Sequence, residues 1–321
     1  MKILITGSNG LLGQKIVYAL LKLNAGQKPI GNCIWPEVTH LFIIATSKGE
    51  NRIIEKSGYI FESLDISDKK QVEAILNKHR PDVVINTAAM TNVDACETQK
   101  EECWKANVVA VQNIVDVLST LNQQPTTNNP QLIHLSTDFI FDGEAGPYKE
   151  DDKPNPLSYY ALSKYESEKV LQASKIKWAI LRTIIVYGIV DNMSRTNIVL
   201  WAKGALAKGE KINVVDDQFR APTLAEDLAQ GCILAALKGA TGIYNVSGKD
   251  IMSILDLVYA VADFWKLDKS IVNPIKSDTL NQAAKRPPRT GFILDKAIKE
   301  LGYTPHSFKE GLAILDEQLK K

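Results

Sequence analysis

The chain has 321 residues, with 38 Lys plus Arg against 37 Asp plus Glu, so its formal net charge is +1. Apolar residues make up 45% and charged residues 23%, the mix of a globular protein long enough for two domains or one large domain with an appendage. A charge so near zero gives no global footprint for nucleic acid or a membrane surface. No apolar run approaches the ~20 residues of a membrane-spanning helix, and Met1–Thr6 runs straight into Gly7, too short for a signal-peptide core.

Lys2–Thr6 (KILIT) is predicted as a buried strand, with a helix over Leu11–Leu23. Further strands are predicted at Leu41–Thr46, Tyr59–Leu64, Asp82–Ala89, Gln131–Thr137 and Trp178–Tyr187. Helices fall between them at Lys69–Arg80, Glu101–Leu121 and Ser158–Ser174. Apolar β-rich runs alternating with helices imply a parallel sheet covered on both faces. After Gly188 the pattern loosens. Helices are predicted at Thr196–Lys208, Leu224–Leu237, Ser253–Trp265, Asp295–Leu301 and Ser307–Lys320, with short strands at Ile212–Val215, Ile243–Val246 and Ile271–Pro274. Asn24–His40 and Gln123–Pro130 are rich in turn residues and read as surface excursions.

Cys33, Cys96, Cys103 and Cys232 form no CxxC pair and no disulfide framework. His40, His79, His134 and His306 are scattered, with no HExxH. The expectation is a reduced, cytoplasmic protein without a zinc site.

Thr6–Gly13 reads TGSNGLLG, directly after a strand and opening a helix. In that context Gly7 allows a tight turn, Gly10 lets the backbone approach a pyrophosphate, and Gly13 lets the helix pack close to the sheet. The candidate phosphate-binding residues are Gly7, Asn9, Gly10, Leu11, Leu12 and Gly13, with the helix N-terminus offering unpaired N–H groups. An ordinary glycine-rich turn is the competing reading. The second strand runs out as Ala45-Thr46-Ser47-Lys48, with Arg52 close behind and no acid to hold ribose hydroxyls. Ser47, Lys48 and Arg52 therefore favour NADPH, with NADH still open; solvated loop charges are the alternative. Asp65, beside Ile66, could accept from an adenine amine or serve as a turn residue. Ala88 and Ala89 in Asn86–Met90 are small enough for a cofactor to lie across the strand tips.

Tyr160 and Lys164 are four apart in a predicted helix and so share a face. An ammonium beside a phenol lowers the phenol pKa from about 10 toward working pH, which suits acid/base chemistry on a carbonyl or alcohol. Ser136-Thr137-Asp138 ends the fifth strand, where ligands of open α/β sheets bind. A hydroxyl there can stabilise the oxyanion formed by hydride addition; a simple cap is the competing reading.

The ordered set TGxxGxxG (6–13), NTAA (86–89), ST (136–137) and YxxxK (160–164) resembles the extended, nucleotide-sugar branch of the short-chain dehydrogenase/reductase superfamily. Within it, TNVDACE (91–97), STDFIFDG (136–143), Pro154–Glu168, DDQFRAPT (216–223) and Arg286-Pro287 look like the dTDP-4-dehydrorhamnose reductase family. The likeness runs from residue 1 to about residue 315. It implies an α/β fold with a Rossmann-type doubly wound parallel sheet and a smaller C-terminal α+β substrate domain. The first would comprise 1–187, completed by 224–247, and the second 188–223 and 248–321. It also implies NADPH-dependent reduction of the C4 ketone of a nucleotide-linked deoxysugar, dTDP-4-dehydro-L-rhamnose to dTDP-L-rhamnose. Thr137 and Tyr160 would hold the carbonyl oxygen, Tyr160 would donate the proton, and Lys164 would hold the nicotinamide ribose. Asn107 matches the superfamily asparagine near the cofactor. Thr91, Val93, Asp138 and Phe139 would meet substrate. Arg220 and Arg286 are diphosphate or sugar contacts by resemblance and charge, with ion pairs as the alternative.

Some departures from the family bear on this. Phe139 stands where the family has Tyr, and Ala161 where Gly commonly follows the catalytic Tyr. Gln14 stands where an acid that holds Mg²⁺ would be expected, which argues against that metal. Asn24–His40 is longer than the family pattern. Two other functions compete. A nucleotide-sugar dehydratase or epimerase would keep NAD bound, but Thr137 is followed by Asp138-Phe139 rather than an Asp-Glu pair. A non-catalytic subunit resembling the regulatory subunit of methionine adenosyltransferase would share fold and motifs without turnover. A homodimer could form through Glu101–Leu121 and Ser158–Ser174, although the sheet they cover also explains their apolar stripes.

Overall fold

The computed structural model describes residues 1–38, 40–123 and 129–320. β1 (Lys2–Thr6) leads through Gly7 into α1 (Leu11–Asn24), followed by β2 (Phe42–Ser47), β3 (Ile60–Ser63), α2 (Lys69–His79) and β4 (Val83–Asn86). Next come α3 (Val93–Thr98), α4 (Lys100–Trp104), a π-helical turn at Lys105–Val109, α5 (Ala110–Asn122) and β5 (Gln131–Thr137). A 3-10 turn at Asp138–Ile140 precedes α6 (Tyr159–Gln172), β6 (Lys177–Thr183) and β7 (Val186–Tyr187). The remainder is α7 (Ile198–Ala207), β8 (Ile212–Val215), β9 (Phe219–Arg220), β10 (Thr223–Leu224), α8 (Ala225–Leu237), β11 (Gly242–Asn245), β12 (Met252–Ser253), α9 (Ile254–Trp265), β13 (Val272–Ile275) and α10 (Phe308–Leu319).

Seven parallel strands pair in the order β11-β6-β5-β4-β1-β2-β3. Alternate residues face opposite sides. Ile3, Ile5 and Ile43 pack with Ile16 and Leu20 of α1 and Leu228 and Cys232 of α8. Leu4, Ile44, Val84, Leu132 and Ile180 pack with Val72 of α2, Leu118 of α5 and Leu171 of α6. Helices thus bury both faces, which is why the strands read as continuous apolar runs. The strand order reverses between β1 and β4, and such a switch point opens a crevice at the carboxyl ends of the strands. A third core gathers Val199 and Leu206 of α7, Ile212 and Val214 of β8, Leu257 and Val261 of α9, and Phe308, Leu312 and Leu315 of α10.

Most predicted elements occur within a residue or two of their expected ends. The exceptions have physical causes. Trp178–Tyr187 is not one strand: β6 ends at Thr183, and Val186–Tyr187 pairs with β10 instead. The apolar run continues because Tyr187 enters the third core, and periodicity cannot tell one buried environment from another. α3 was not expected; Asn92 caps it by accepting from Ala95 N at 3.1 Å. Helix 101–121 contains a π turn, and the predicted Asp295–Leu301 helix also ends in one, at Ala297–Leu301. Asn24–His40 is more than a surface excursion. Cys33, Trp35 and Val38 pack on the core, and a Cβ on Gly31 would lie 2.3 Å from Gln230 of α8. Of the Gln123–Pro130 excursion, residues 124–128 lie outside the described residues, as does Thr39. Among the described residues no helix is long and apolar enough to cross a membrane.

The C-terminal segment docks on α8 through His306. Asp227 accepts from His306 N at 2.8 Å and lies 2.6 Å from Nδ1. That hydrogen bond outweighs burial and raises the imidazole pKa above 6.5. The resulting stabilisation is complete below the unfolded-state value of about 6.5 and is lost as pH rises through the higher folded-state value. Melting temperature should therefore fall across this interval in the native protein and stay flatter in His306→Gln. Parallel curves for the two proteins would refute the linkage.

Candidate active site

Gly10 caps α1 with no side chain, leaving the first N–H groups of the helix, at Leu11, Leu12 and Gly13, without a side-chain cap. Gly7 sits at φ +67°, and a Cβ there would meet the Ala88 backbone at 2.8 Å. A Cβ on Gly13 would lie 2.4 Å from the Gly7 carbonyl. Only glycine fits either place. The Ser8 hydroxyl is buried without a hydrogen-bond partner. A bare helix start, a backbone cradle and an orphan hydroxyl fit a dinucleotide pyrophosphate. Asn9 is spent differently: it donates to Glu50 O at 2.7 Å and accepts from Arg52 N at 2.9 Å, fastening the turn to the loop after β2.

At the outer end of the crevice Ser47 closes β2, and Lys48 pairs with Asp65 at 2.8 Å. Burial opposes the charge on Asp65, but Lys48 and Ser67 together pull its carboxyl down to about 2. Asp65 also accepts from Ser67 N and Oγ at 3.0 and 2.7 Å, the turn role rather than a free adenine acceptor. Lys48 and Asp65, expected in separate cofactor contacts, meet each other in an ion pair on the crevice rim, with Lys48 largely exposed. Ile66 is buried in the core under α2 and α5, and the Arg52 side chain is exposed. Ala88 and Ala89 lie half-buried beyond β4, Ala88 against Gly7.

Asn107 is also hydrogen-bonded within the protein. It lies buried in the π turn, where such bulges often reposition a functional side chain. Its amide accepts from Met90 N at 2.8 Å and donates to Met90 O at 3.1 Å and Ser163 Oγ at 2.9 Å. Those bonds tie the strand-tip loop to α6. The π turn that sets this register has no composition signal.

Ser158 caps α6 by accepting from Ala161 N at 3.3 Å, which starts the helix at the right point for Tyr160 and Lys164 to face inward. Thr137 ends β5 and accepts from Phe139 N at 3.2 Å. Thr137, Tyr160 and Lys164 are all buried, and the Thr137 hydroxyl acts on the Tyr160 phenol. Burial, Thr137 and Asp138 rather than Lys164 are the leading influences on the Tyr160 phenol. Lys164 Nζ donates to Leu135 O at 2.6 Å and lies 3.4 Å from His134 Nε2. Burial lowers its pKa to about 8. Burial likewise pushes the Tyr160 phenol up, Thr137 pulls it back, and Asp138 adds to the rise. His134, unassigned from sequence, is the hub behind the lysine. Thr6 donates to Asn86 Oδ1 at 2.5 Å, Asn86 Nδ2 meets His134 Nδ1 at 3.1 Å, and His134 Nε2 meets Ser167 Oγ at 3.0 Å. Only the folded sheet brings β1, β4, β5 and α6 into this one chain.

On the substrate side Thr91 is exposed and Val93 half-buried at the start of α3. The Phe139 ring stands edge-on to Tyr160, centroids 6.1 Å apart. Asp138, expected at substrate, is instead buried among Thr137, Thr290 and Arg220. Arg220 is buried as well, donating to the carbonyls of Phe219 and Pro287 at 2.7 Å. Arg286 grips Asp94 with two bonds, at 2.7 and 3.2 Å. The arginines are thus held internally in this arrangement, Arg286 as the ion pair that competed with a substrate contact. Gln14 is buried, its amide bound to the backbone of Asp191 and Asn9. Among the described residues no group of three or more His, Cys, Asp or Glu is placed to hold a metal.

Residues 1–320 match the family described as RmlD substrate binding domain. The dTDP-4-dehydrorhamnose reductase of Aggregatibacter actinomycetemcomitans is 32% identical over 264 residues, covering 78% of this chain and 86% of that one. Methionine adenosyltransferase 2 subunit beta of Xenopus tropicalis is 30% identical over 289 residues, covering 88% of this chain and 78% of that one. Among solved structures, a dTDP-4-dehydrorhamnose reductase from Clostridium acetobutylicum superposes over 100% of both chains with a TM-score of 0.80 and 27% identity. The match spans both the glycine turn and the C-terminal segment that closes over Asp138, so it is no mere likeness of nucleotide folds: the chain belongs to the RmlD substrate-binding domain family, within the extended short-chain dehydrogenase/reductase superfamily.

Proposed function

We propose that this protein reduces the C4 ketone of a nucleotide-linked deoxysugar with NADPH, converting dTDP-4-dehydro-L-rhamnose to dTDP-L-rhamnose. The observation that carries the reading is the convergence of Thr137, Tyr160 and Lys164 at the carboxyl end of β5, with the glycine turn at the carboxyl end of β1, two strands along the same parallel sheet. The bound nicotinamide supplies the hydride. Thr137 and Tyr160 orient the ketone oxygen, and Tyr160 gives up its proton as that oxygen becomes an alkoxide. Lys164 leaves Leu135 O to hold the ribose and support the phenolate left behind. NADPH is favoured over NADH by the acid-free end of β2, with Ser47 and the exposed Arg52 nearby. Residues 188–223 and 248–321 form the substrate side of the crevice in this reading. A homodimer would pair α5 and α6, where a groove of about 450 Å³ lies between Val115 and Lys169.

A second reading, a regulatory subunit without turnover, is favoured by the likeness to methionine adenosyltransferase 2 subunit beta over 88% of the chain. One experiment separates them: NADPH oxidation with a dTDP-4-keto-6-deoxysugar, followed at the nicotinamide absorbance. Turnover is the expected result. Cofactor binding with no turnover on any ketosugar would favour the regulatory subunit, and NAD retained through purification would favour a dehydratase or epimerase.

A further inference from the structure

Asp138 is adjacent to Thr137 in the chain, yet only 2% of it is exposed. Its Oδ1 accepts the Thr137 hydroxyl at 3.1 Å. Its Oδ2 accepts the hydroxyl of Thr290, which has no exposed surface. Arg220 Nε lies 3.8 Å from Oδ2, beyond hydrogen-bond reach, because the guanidinium is committed to backbone carbonyls. Three segments far apart in sequence therefore converge on one carboxyl group, beside the residue assigned to the ketone oxygen.

A threonine hydroxyl has one proton to give. While Asp138 is ionised, that proton is spent on Oδ1. One lone pair of Thr137 Oγ1 is taken by Phe139 N, and the other faces Tyr160 and the ketone. An oxygen that offers only a lone pair repels a developing oxyanion and draws the Tyr160 proton toward itself. With a proton on Asp138 Oδ1 the bond reverses. The acid then donates to Oγ1, and the Thr137 proton is free to point at the ketone oxygen. We infer that Asp138 is the positioning residue of Thr137, and that the proton it holds decides whether Thr137 donates to the substrate or turns away. This rests on the reductase reading above and specifies how its oxyanion contact is set. Burial favours the protonated carboxyl, opposed by Arg220 and the hydrogen bonds from Thr290 and Thr137. The charged and titratable groups facing it are Arg220 of β9, with Arg286 behind, and Tyr160 of α6.

The test compares kcat across roughly pH 5 to 9 in the native protein, Asp138→Asn, Asp138→Leu and Thr290→Val, with NADPH affinity measured alongside. In the native protein kcat should fall as pH rises through the Asp138 titration. Asp138→Leu leaves the Thr137 proton untaken but removes the group that aims it and strands Thr290 and Arg220 without their acceptor. It should lower kcat by up to about 10²-fold, the scale of one misaimed oxyanion donor, without weakening NADPH binding. Asp138→Asn, whose amide always donates to Thr137, should recover at least about tenfold of that loss and lack the fall with pH. Thr290→Val removes a donor to the carboxylate and should move the fall to higher pH. Infrared difference spectra of the native protein minus Asp138→Asn read the same proton without turnover. The carboxylic C=O band should titrate, and in Thr137→Val its titration should move to higher pH. A pH fall retained in Asp138→Asn, a loss equal to that of Asp138→Leu, or an infrared titration unmoved by Thr137→Val would overturn the inference. A titrating band that moves in Thr137→Val, in a protein with no ketosugar turnover, would uphold the Asp138–Thr137 coupling and reject only the reductase reading.

Discussion

Tyr160→Phe should lower kcat by about 10²- to 10⁴-fold, the usual worth of a positioned general acid, while leaving NADPH affinity nearly unchanged. The phenol is buried, and burial holds its pKa above the ordinary value of 10. The phenol therefore carries its proton through the neutral range, so the proton is on Tyr160 when the ketone oxygen takes on charge. The ring itself packs with Cys96, Cys103 and Phe139, and phenylalanine retains that packing, so the loss should be confined to proton donation. Equal falls in kcat and kcat/KM would mark an interaction made only in the transition state. Near-native turnover would remove Tyr160 from the role of acid.

The local features were legible because local chemistry makes them. TGSNGLLG needs glycine at residues 7 and 13 for reasons that lie within eight residues and one strand contact. YxxxK needs only a helix with the right cap, and Ser158 supplies it. The parallel sheet was legible because strands buried on both faces must be apolar throughout. What stayed hidden was how polar side chains pair over long distances. Arg286 meets Asp94 across 192 residues, and Thr290 meets Asp138 across 152. No spacing rule links such positions. Arg220 and Arg286, read as diphosphate or sugar contacts with ion pairs as the alternative, are hydrogen-bonded within the protein, and Asp138, read as a substrate contact, is buried beside Thr137. Asn107 was found by its motif, but its bonds to Met90 and Ser163 were not legible, because the π turn that aims it inward depends on packing against α6.

Glu168→Ala should destabilise the fold by about 3–5 kcal/mol, the cost of leaving a buried charge unpaired. Glu168 is fully buried on α6, and Arg182 on β6 is 2% exposed. They share two bonds, Nε to Oε1 at 3.0 Å and Nη2 to Oε2 at 2.7 Å. The third arm of Arg182 donates to Glu150 O at 2.8 Å, and its guanidinium lies over the Phe141 ring, which stacks on Tyr148. Glu150 in turn accepts from Asn245 N of β11 at 3.0 Å. One ion pair therefore braces α6, β6, the edge strand β11 and the segment that follows Thr137. The midpoint of urea unfolding should drop sharply in Glu168→Ala. The double variant Glu168→Leu, Arg182→Met should recover much of the loss, because it removes the desolvated charges together with the bond between them. Function would be hit by a second route. Glu168 lies one turn beyond Lys164 and its charge raises the lysine pKa against burial. The double variant, even if stable, should therefore lose activity at lower pH than the native protein as Lys164 gives up its proton. An unfolding midpoint unchanged in Glu168→Ala would mean that the pair braces nothing.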